Sequence, residues 1–436
     1  MGDKDNFQIV NKLGHYIEVS TNGLPAGDFK GGANPTPLRT SASPYSAGFS
    51  LVESTSATHA PAWCIKPKDR AGMFNQWGGG EAGVSIGLWT DKSDNNNALL
   101  FIDPDKMQYA DFKVSGIAAF TPQNKLSLWY DAPSTVKAVG DKWAQYSLPL
   151  GNGQLGCCLL GGVMADEIQF NEKTLWSGRS SDNSANYGDY ENFGSLFAEE
   201  ISGELGMTQA TMVKDYVRVL DLTNATGSVA FTNADGSISY NRTYFVSNPA
   251  QVIAARYQAS QAGKVSLRFT LVSGKPGINA TTTYSADGGQ FAGKLEAISY
   301  RAGFTAVNKG GTMTSGEDGI TVTGADEVIV YLTGATDFDP YKTTYISNTA
   351  ALPATIEARL NDAAASTWDE LYSAHVADFK SFFDRSNFEL AGTTNNQPTD
   401  ALIDAYKGGT GANARMLEQL YYAYGSYLEI CASRGV

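Results

Sequence analysis

From about residue 123 to residue 345 the sequence alternates apolar and polar residues in run after run, with turn residues between them. No helical repeat interrupts the series. The clearest case is "GSVAFTNADGSISYNRTYFVS", where Asp235 and Gly236 sit between two alternating runs. That pair offers the φ > 0 positions a tight hairpin turn needs. "PAQVIAARYQA", "KVSLRFTLVS" and "GITVTGADEVIVYLTGA" continue the pattern. Side chains that alternate across a strand bury one face only when the sheet has another layer to pack on. Many strands at short spacing without helices between them therefore predict a large antiparallel sandwich.

The flanks read differently. Residues 1–122 hold short runs such as "FQIVNK", "HYIEVS", "GFSLVES", "AWCIKP" and "ALLFIDP", and predict a small all-β module with "FNQWGGGEAGVSIGLW" as a loop. The sandwich is expected over 123–350, and helices over 351–436. "LPATIEARLNDAAA" is the first helix, and "TWDELYSAHVADFKSFFDR" the second. Thr367 with Glu370 three residues on forms a capping box, followed by an apolar stripe of Leu371, Val376, Phe379 and Phe383. The last helix starts near Asn413. Leu417, Leu420, Tyr421, Tyr424, Tyr427, Leu428 and Cys431 cover much of its circumference. A helix apolar over so wide an arc is normally enclosed by protein, which predicts the opening of a further domain beyond a truncated end. The alternative is an aromatic-rich helix lying back on the sandwich.

Composition narrows the function classes. The net charge of −13 argues against nucleic acid, whose phosphates need clustered Lys and Arg. Forty-six glycines fit a turn-rich β protein. No run of 18 apolar residues is present, so no membrane-spanning helix is expected. Cys64, Cys157, Cys158 and Cys431 lack metal-ligand spacing and read as small core residues. His15, His59 and His375 are far apart, and nothing points to a zinc site or a catalytic triad. No metal and no organic cofactor is implied. "MGDKDNF" is no signal peptide, so an exported protein is expected to have had its signal removed.

"LPLGNGQLGCC" contains G-x-G-x-x-G at Gly151, Gly153 and Gly156. A dinucleotide fingerprint needs a helix starting at its third glycine. Here Gly161-Gly162 would break such a helix, and "DEIQFNEKTLW" alternates as a strand. The glycines are therefore read as a tight strand-to-strand connection, with Asn152 bonding a neighbouring backbone.

The stretch "LWYDAPSTVKAVGDKWAQYSLPLGNGQLGCCLLGGVMADEIQFNEKTLWSG" closely resembles the opening of glycoside hydrolase family 95, the α-L-fucosidase family. It keeps Trp143, Leu148 to Gly153, Leu155, Gly156, Asn171, Glu172 and Thr174 to Gly178 of the family's pattern. "YVRVLDLTNATGSVAFTNADGSISYNRTYFVSNPAQVIAARYQA" is similar to its next block, "ELYSAHVADFKSFFDRSNFEL" to its helical linker, and "LEQLYYAYGSYLEICASRG" to its first barrel helix. The resemblance runs from about 125 to 436, and Ser426 departs from it where the family usually has Arg. It implies a β super-sandwich, a helical linker, an (α/α)6 catalytic barrel and a C-terminal β domain. It also implies inverting hydrolysis of α-L-fucosides, with some members acting on α-L-galactosides. A glutamic acid would protonate the leaving oxygen, while asparagines and an aspartate orient the attacking water. Those residues lie in the barrel, beyond Val436, so no catalytic residue is assigned within this chain. The implied partner is a fucosylated oligosaccharide or glycan such as xyloglucan, and the implied location is secreted, periplasmic or cell-surface. The alternative is a non-catalytic carbohydrate-binding or structural β protein.

Four residues are candidates for sugar binding. Asn171, Glu172 and Trp176 form the most specific cluster. They read either as the rim of a sugar pocket, or as a closure of the sandwich with Glu172 paired to an arginine. Trp77, in its Gly-rich loop, reads either as a sugar platform or as structural. Asp337 and Asp339 in "TDFDPY" lack the ligand spacing of a calcium loop and predict a capped turn before Pro340. His375 predicts a packed or hydrogen-bonded core histidine.

Overall fold

The computed structural model describes residues 9, 16–19, 36–41, 43, 45–53, 62–76, 86–88, 100–102, 114–134, 147–178, 188–206, 212–274, 280–406 and 410–434. The chain divides into two compact units, Met1–Gln108 and Tyr109–Val436. Trp77, His15 and His59 lie outside the described residues.

The first unit holds strands β1 (Tyr16–Val19), β2 (Thr36–Ser41), β3 (Phe49–Glu53), β4 (Ala62–Pro67), β5 (Phe74–Gln76), β6 (Ile86–Leu88) and β7 (Leu100–Ile102). One sheet runs β1-β2-β6-β5 and the other β3-β4-β7. Tyr45, Phe49, Ile65, Phe74 and Leu88 form its core, with Tyr45 stacked on Phe49. The expected loop "FNQWGGGEAGVSIGLW" begins and ends in paired strands, with Asn75 opposite Gly87. Three residues per strand are too few to show an alternation, so the glycines between them dominated the sequence reading.

The second unit is a two-sheet sandwich. Its strands are β8 (Ser127–Tyr130), β9 (Leu148–Gly151), β10 (Leu155–Leu159), β11 (Ala165–Glu172), β12 (Gly194–Glu200), β13 (Lys214–Asp221), β14 (Thr226–Thr232) and β15 (Ser239–Ser247), followed by β16 (Val252–Ala259), β17 (Val265–Ser273), β18 (Thr283–Tyr284), β19 (Gly288–Lys294), β20 (Ser299–Lys309), β21 (Thr312–Gly316), β22 (Gly319–Ala325) and β23 (Glu327–Thr336). A seven-stranded sheet runs β21-β22-β17-β12-β11-β10-β9, and a nine-stranded sheet runs β18-β19-β20-β23-β16-β15-β14-β13-β8. Every pairing between these strands is antiparallel. The protein is mainly β, as the alternating runs predict.

Both faces of the nine-stranded sheet are buried at its centre, and period-two alternation sorts its residues. Tyr244, Ile253, Ala255, Val330 and Leu332 face the opposite sheet. Their sequence neighbours Phe245, Val252, Ala254 and Tyr331 face outward, where Leu352, Ile356, Leu360 and Ala363 of the first helix (Leu352–Ala365) cover them. This explains the nearly continuous apolar run "AQVIAA", since a strand covered on both sides has no solvent face to keep polar. The β14–β15 hairpin forms as predicted, but its loop is longer than a two-residue turn. Asn233 and Gly236 close the turn, and only Gly236 of the Asp235-Gly236 pair has positive φ.

Inside the sandwich, Asp166 of β11 accepts bonds from Tyr244 and Tyr257, at 2.6 and 3.0 Å, both from the facing sheet. Arg242 lies 3.8 Å from the same carboxylate and donates to the Gly162 and Val163 carbonyls. Asp166 and Arg242 are both buried, so this is an interior ion pair joining the two sheets.

The second helix, Trp368–Phe383, carries the full capping box between Thr367 and Glu370. Its buried line is Trp368, Leu371, His375, Phe379 and Phe383, and Val376 is only half-buried. His375 thus takes the core position expected of Val376. Its ring stacks on Phe245, and its Nε2 faces the carbonyls of Asn224 and Ala225 at 3.0 and 3.2 Å. The final helix, Ala412–Ala432, buries Met416, Gln419, Leu420, Ala423 and Tyr427 against the sandwich and the second helix. Its other side is open, and Tyr421 is 81% exposed. Cys64, Cys157 and Cys158 are buried and Cys431 is half-buried, none in a disulfide.

The His375 site predicts an acid sensitivity. Nε2 facing two carbonyls requires an N–H there, and burial holds the pKa below its ordinary 6.5, so the ring is neutral in the fold. The stability this contributes is complete above pH 6.5 and is lost as pH falls through the depressed native value. Thermal melting from pH 8 to pH 5 should show a falling Tm on the acid side, and His375→Gln should flatten that part of the profile. An unchanged profile in the variant would count against this assignment.

Candidate functional site

The glycine motif lies at the corner between β9 and β10, where Gly151 pairs with Gly156. Asn152 is fully buried, and its side chain organises the corner. Its Oδ1 accepts from the N–H groups of Gln154 and Leu155, at 2.9 and 2.7 Å, and its Nδ2 donates to Ser247 O at 2.8 Å. The Asn248 amide donates back to Asn152 O at 2.9 Å. Three of the four hydrogen bonds this buried amide can make are spent on the corner itself.

Gly153 has φ of 86° and donates its N–H to Cys431 O, near the C-terminus of the final helix, at 2.7 Å. This satisfies one of the carbonyls that a helix end leaves without an intrahelical partner. A Cβ on Gly153 would stand 2.3 Å from Cγ of Arg434. Beside it, Tyr427 donates to Pro149 O at 2.6 Å. A strand follows the motif, not a helix, so the glycines serve a close approach of backbones, as the sequence reading held.

Glu172 ends β11 and points inward, with 1% of its surface exposed. Its Oε2 accepts from the Thr174 N–H at 2.9 Å and the Thr174 hydroxyl at 2.5 Å, and its Oε1 accepts from Gln154 Nε2. Burial raises its pKa above the ordinary 4.5, opposed by these bonds and by the charge of Arg359. Glu172 therefore fastens the strand end to the glycine corner. It does not stand on a rim, and no ion pair joins it to Arg359.

Above Glu172 opens a polar recess of about 360 Å³, lined by Asn152, Gly153, Gln154, Lys173, Asn248, Gln251, Arg359 and Arg434. The β9–β10 corner, the end of β11 and the β15–β16 loop form one side. The first helix supplies Arg359, and Arg434 follows the final helix. The volume falls within the range of small-molecule sites. Three cations and four amide side chains line it, and no carboxylate does. Sequence reading missed Arg359 and Arg434. The signal that would have found Arg359 is an arginine placed between Ile356 and Leu360 on the sheet-facing stripe of its helix.

Of the other candidates, Asn171 is half-buried and accepts the Glu172 N–H at 2.9 Å. Trp176 is half-buried and stands edge-on to Tyr190, with ring centroids 4.8 Å apart. Tyr190 is 65% exposed. The Thr174 hydroxyl meets that of Thr336, tying this loop to the end of β23. Asp337 is buried and caps Ser299 N–H and the Thr349 hydroxyl, while Asp339 accepts from Tyr341 N–H at 2.9 Å in a turn across Pro340. Both are structural, as predicted. No group of metal-ligating residues occurs among the described residues.

Two substitutions test this corner by thermal or denaturant unfolding. Gly153→Ala combines a positive φ with overlap on Arg434 and should cost about 2–5 kcal/mol. It should also raise hydrogen exchange in the final helix. Glu172→Ala strands three donors and should cost about 3 kcal/mol.

A family model described as "Glycosyl hydrolase family 65, N-terminal domain" matches residues 128–191 and 181–341. A second, "Glycosyl hydrolase family 95 catalytic domain", matches residues 367–436. Alpha-L-fucosidase 2 of Arabidopsis thaliana is 26% identical over 355 residues, which cover 66% of this chain and 40% of that protein. The chain thus spans about two-fifths of the length of this relative. A solved structure described as a kojibiose phosphorylase from the human microbiome superposes with a TM-score of 0.46 at 10% identity, covering 72% of this chain and 42% of that one. A match to a family 65 N-terminal domain, followed by a match to a family 95 catalytic domain and with an α-L-fucosidase as a relative, makes this chain similar to glycoside hydrolases of family 95.

Proposed function

We propose that this chain is the sheet-built portion of an α-L-fucosidase-like enzyme that, in its whole length, removes terminal α-L-fucose from glycans with inversion. The observation that carries this reading is the family 95 catalytic sequence over 367–436, set directly after a sandwich whose glycine corner grips the final helix. Inversion needs two carboxyl groups about 6.5–9.5 Å apart with a water between them. The recess offers no carboxylate. Glu172 and Asp378, which bond residues of its lining, are committed to Thr174 and Gln154 and to Arg434. No such pair lines the recess, so we place the acid and the base in catalytic-domain sequence outside the described residues, and read the described residues as support and as part of the sugar-binding surface.

Trp176 and Tyr190 favour that second role. An indole beside an exposed phenol presents apolar faces for the C–H side of a sugar ring, with a polar rim for its hydroxyls. Asn171, in the same segment, supplies an amide.

The test has two parts. The 436-residue chain should release no fucose from an aryl α-L-fucoside, and turnover by it would overturn the placement of the acid and base. A longer protein that includes the remaining catalytic domain should hydrolyse the same substrate and release β-L-fucose first by NMR. Retention, or a higher kcat/KM for the α-L-galactoside, would overturn the inverting fucosidase reading. Trp176→Ala should weaken glycan binding by the chain about tenfold, in line with the loss of an aromatic contact.

A further inference from the structure

We propose that the recess over Glu172 is an oxyanion-binding subsite, suited to a carboxylate or sulfate group carried on a glycan. The chain as a whole has a charge of −13, yet every charged side chain lining this recess is a cation. Lys173 is exposed and makes no ion pair among the described residues. Arg359 donates to Gly334 O at 3.1 Å and to Thr333 Oγ1 at 3.4 Å, and it too has no carboxylate within ion-pair distance. Both therefore keep charge and donor capacity for a ligand.

Arg434 is different. Its Nη2 pairs with Asp378 at 2.8 Å, and its guanidinium lies over Phe382 at 4.4 Å. It forms a wall whose charge is largely answered. Glu172, below the floor, is the other carboxylate nearby, and its oxygens are turned to Gln154 and Thr174. The final helix directs the negative end of its dipole toward this region, but Cys431 O is already bonded by Gly153 N–H. Lys173 has no ion-pair partner among the described residues, and Arg359 feels Glu172 only at long range, so the recess stays cationic against that half-charge.

The remaining lining decides the ligand class. Gln154, Asn248 and Gln251 each spend one amide N–H inside the protein, and the second N–H and the oxygen of each can bond hydroxyls. A site for a bare inorganic ion needs neither so many neutral amides nor about 360 Å³. A sugar ring with one acidic substituent uses both, with its hydroxyls on the amides and its oxyanion between Lys173 and Arg359. The sugar-borne form of this proposal rests on the glycosidase reading above. The test does not, because it reads binding without turnover.

The experiment is calorimetric titration of the 436-residue chain at low salt with L-fucose, sulfated fucose, glucuronic acid and inorganic sulfate. The acidic sugars should bind at least about tenfold more tightly than neutral fucose, and that advantage should shrink as salt is raised. Lys173→Gln and Arg359→Gln should each weaken the acidic sugars about tenfold and leave fucose unchanged. Arg359→Lys should restore much of the loss. Lys173 is exposed, so its variant reports on the site even where Arg359→Gln unfolds. Competition by inorganic sulfate at equal concentration would support an oxyanion site filled by the free ion, and failure to compete would support the sugar-borne group. Equal binding of fucose and its sulfated form, or acidic-sugar binding unchanged in Lys173→Gln, would overturn the proposal, as would no binding at all.

Discussion

The contact between the Gly153 N–H and the Cys431 carbonyl fixes the end of the final helix against the glycine corner of the sandwich. It requires a residue without Cβ and with positive φ, on a corner held flat by the buried Asn152. Once it forms, Arg434 is carried over the corner, Tyr427 reaches Pro149, and Arg434 joins the lining of the recess. Without that approach the end of the final helix would stand off the corner, and Arg434 would not line the recess. The glycines thus set a distance on which the whole site depends.

The sandwich gives that corner something rigid to stand on. The centre of the nine-stranded sheet is packed on both faces, by the opposing sheet and by the first helix, so its central strands are fixed in register by two sets of partners. Moving one strand by a single residue would exchange its two faces and set Tyr244 where Phe245 belongs. Arg359 rides on the same helix that covers the sheet. Its position over the recess therefore follows from Ile356 and Leu360 packing beneath it.

Much of this was legible in the residues. Alternation located the long strands, the Thr367–Glu370 pair located a helix start, and Gly161-Gly162 ruled out a dinucleotide turn. The three-residue strands near Phe74 and Ile86 left no such trace, since pairing across a distance decided them. The cluster from Asn171 to Gly178 was visible as a cluster, but its internal geometry was not. Three successive side chains part company there, as Glu172 turns into the core, Lys173 lines the recess and Thr174 binds both Glu172 and Thr336. Nothing local marks that parting. It is set by where β11 ends against the glycine corner. The recess itself draws on five separate segments, and only the fold brings them together.

The ion pair of Asp166 and Arg242 has a consequence for how this domain can diverge. Each partner comes from a different sheet, and neither reaches water. Losing one leaves the other's charge in the interior without its counter-charge, held only by two tyrosine hydroxyls or two carbonyls, whereas exchanging both for apolar residues of like volume leaves no charge there. The two positions are thus inherited as one character. A descendant that keeps the fold retains both or abandons both.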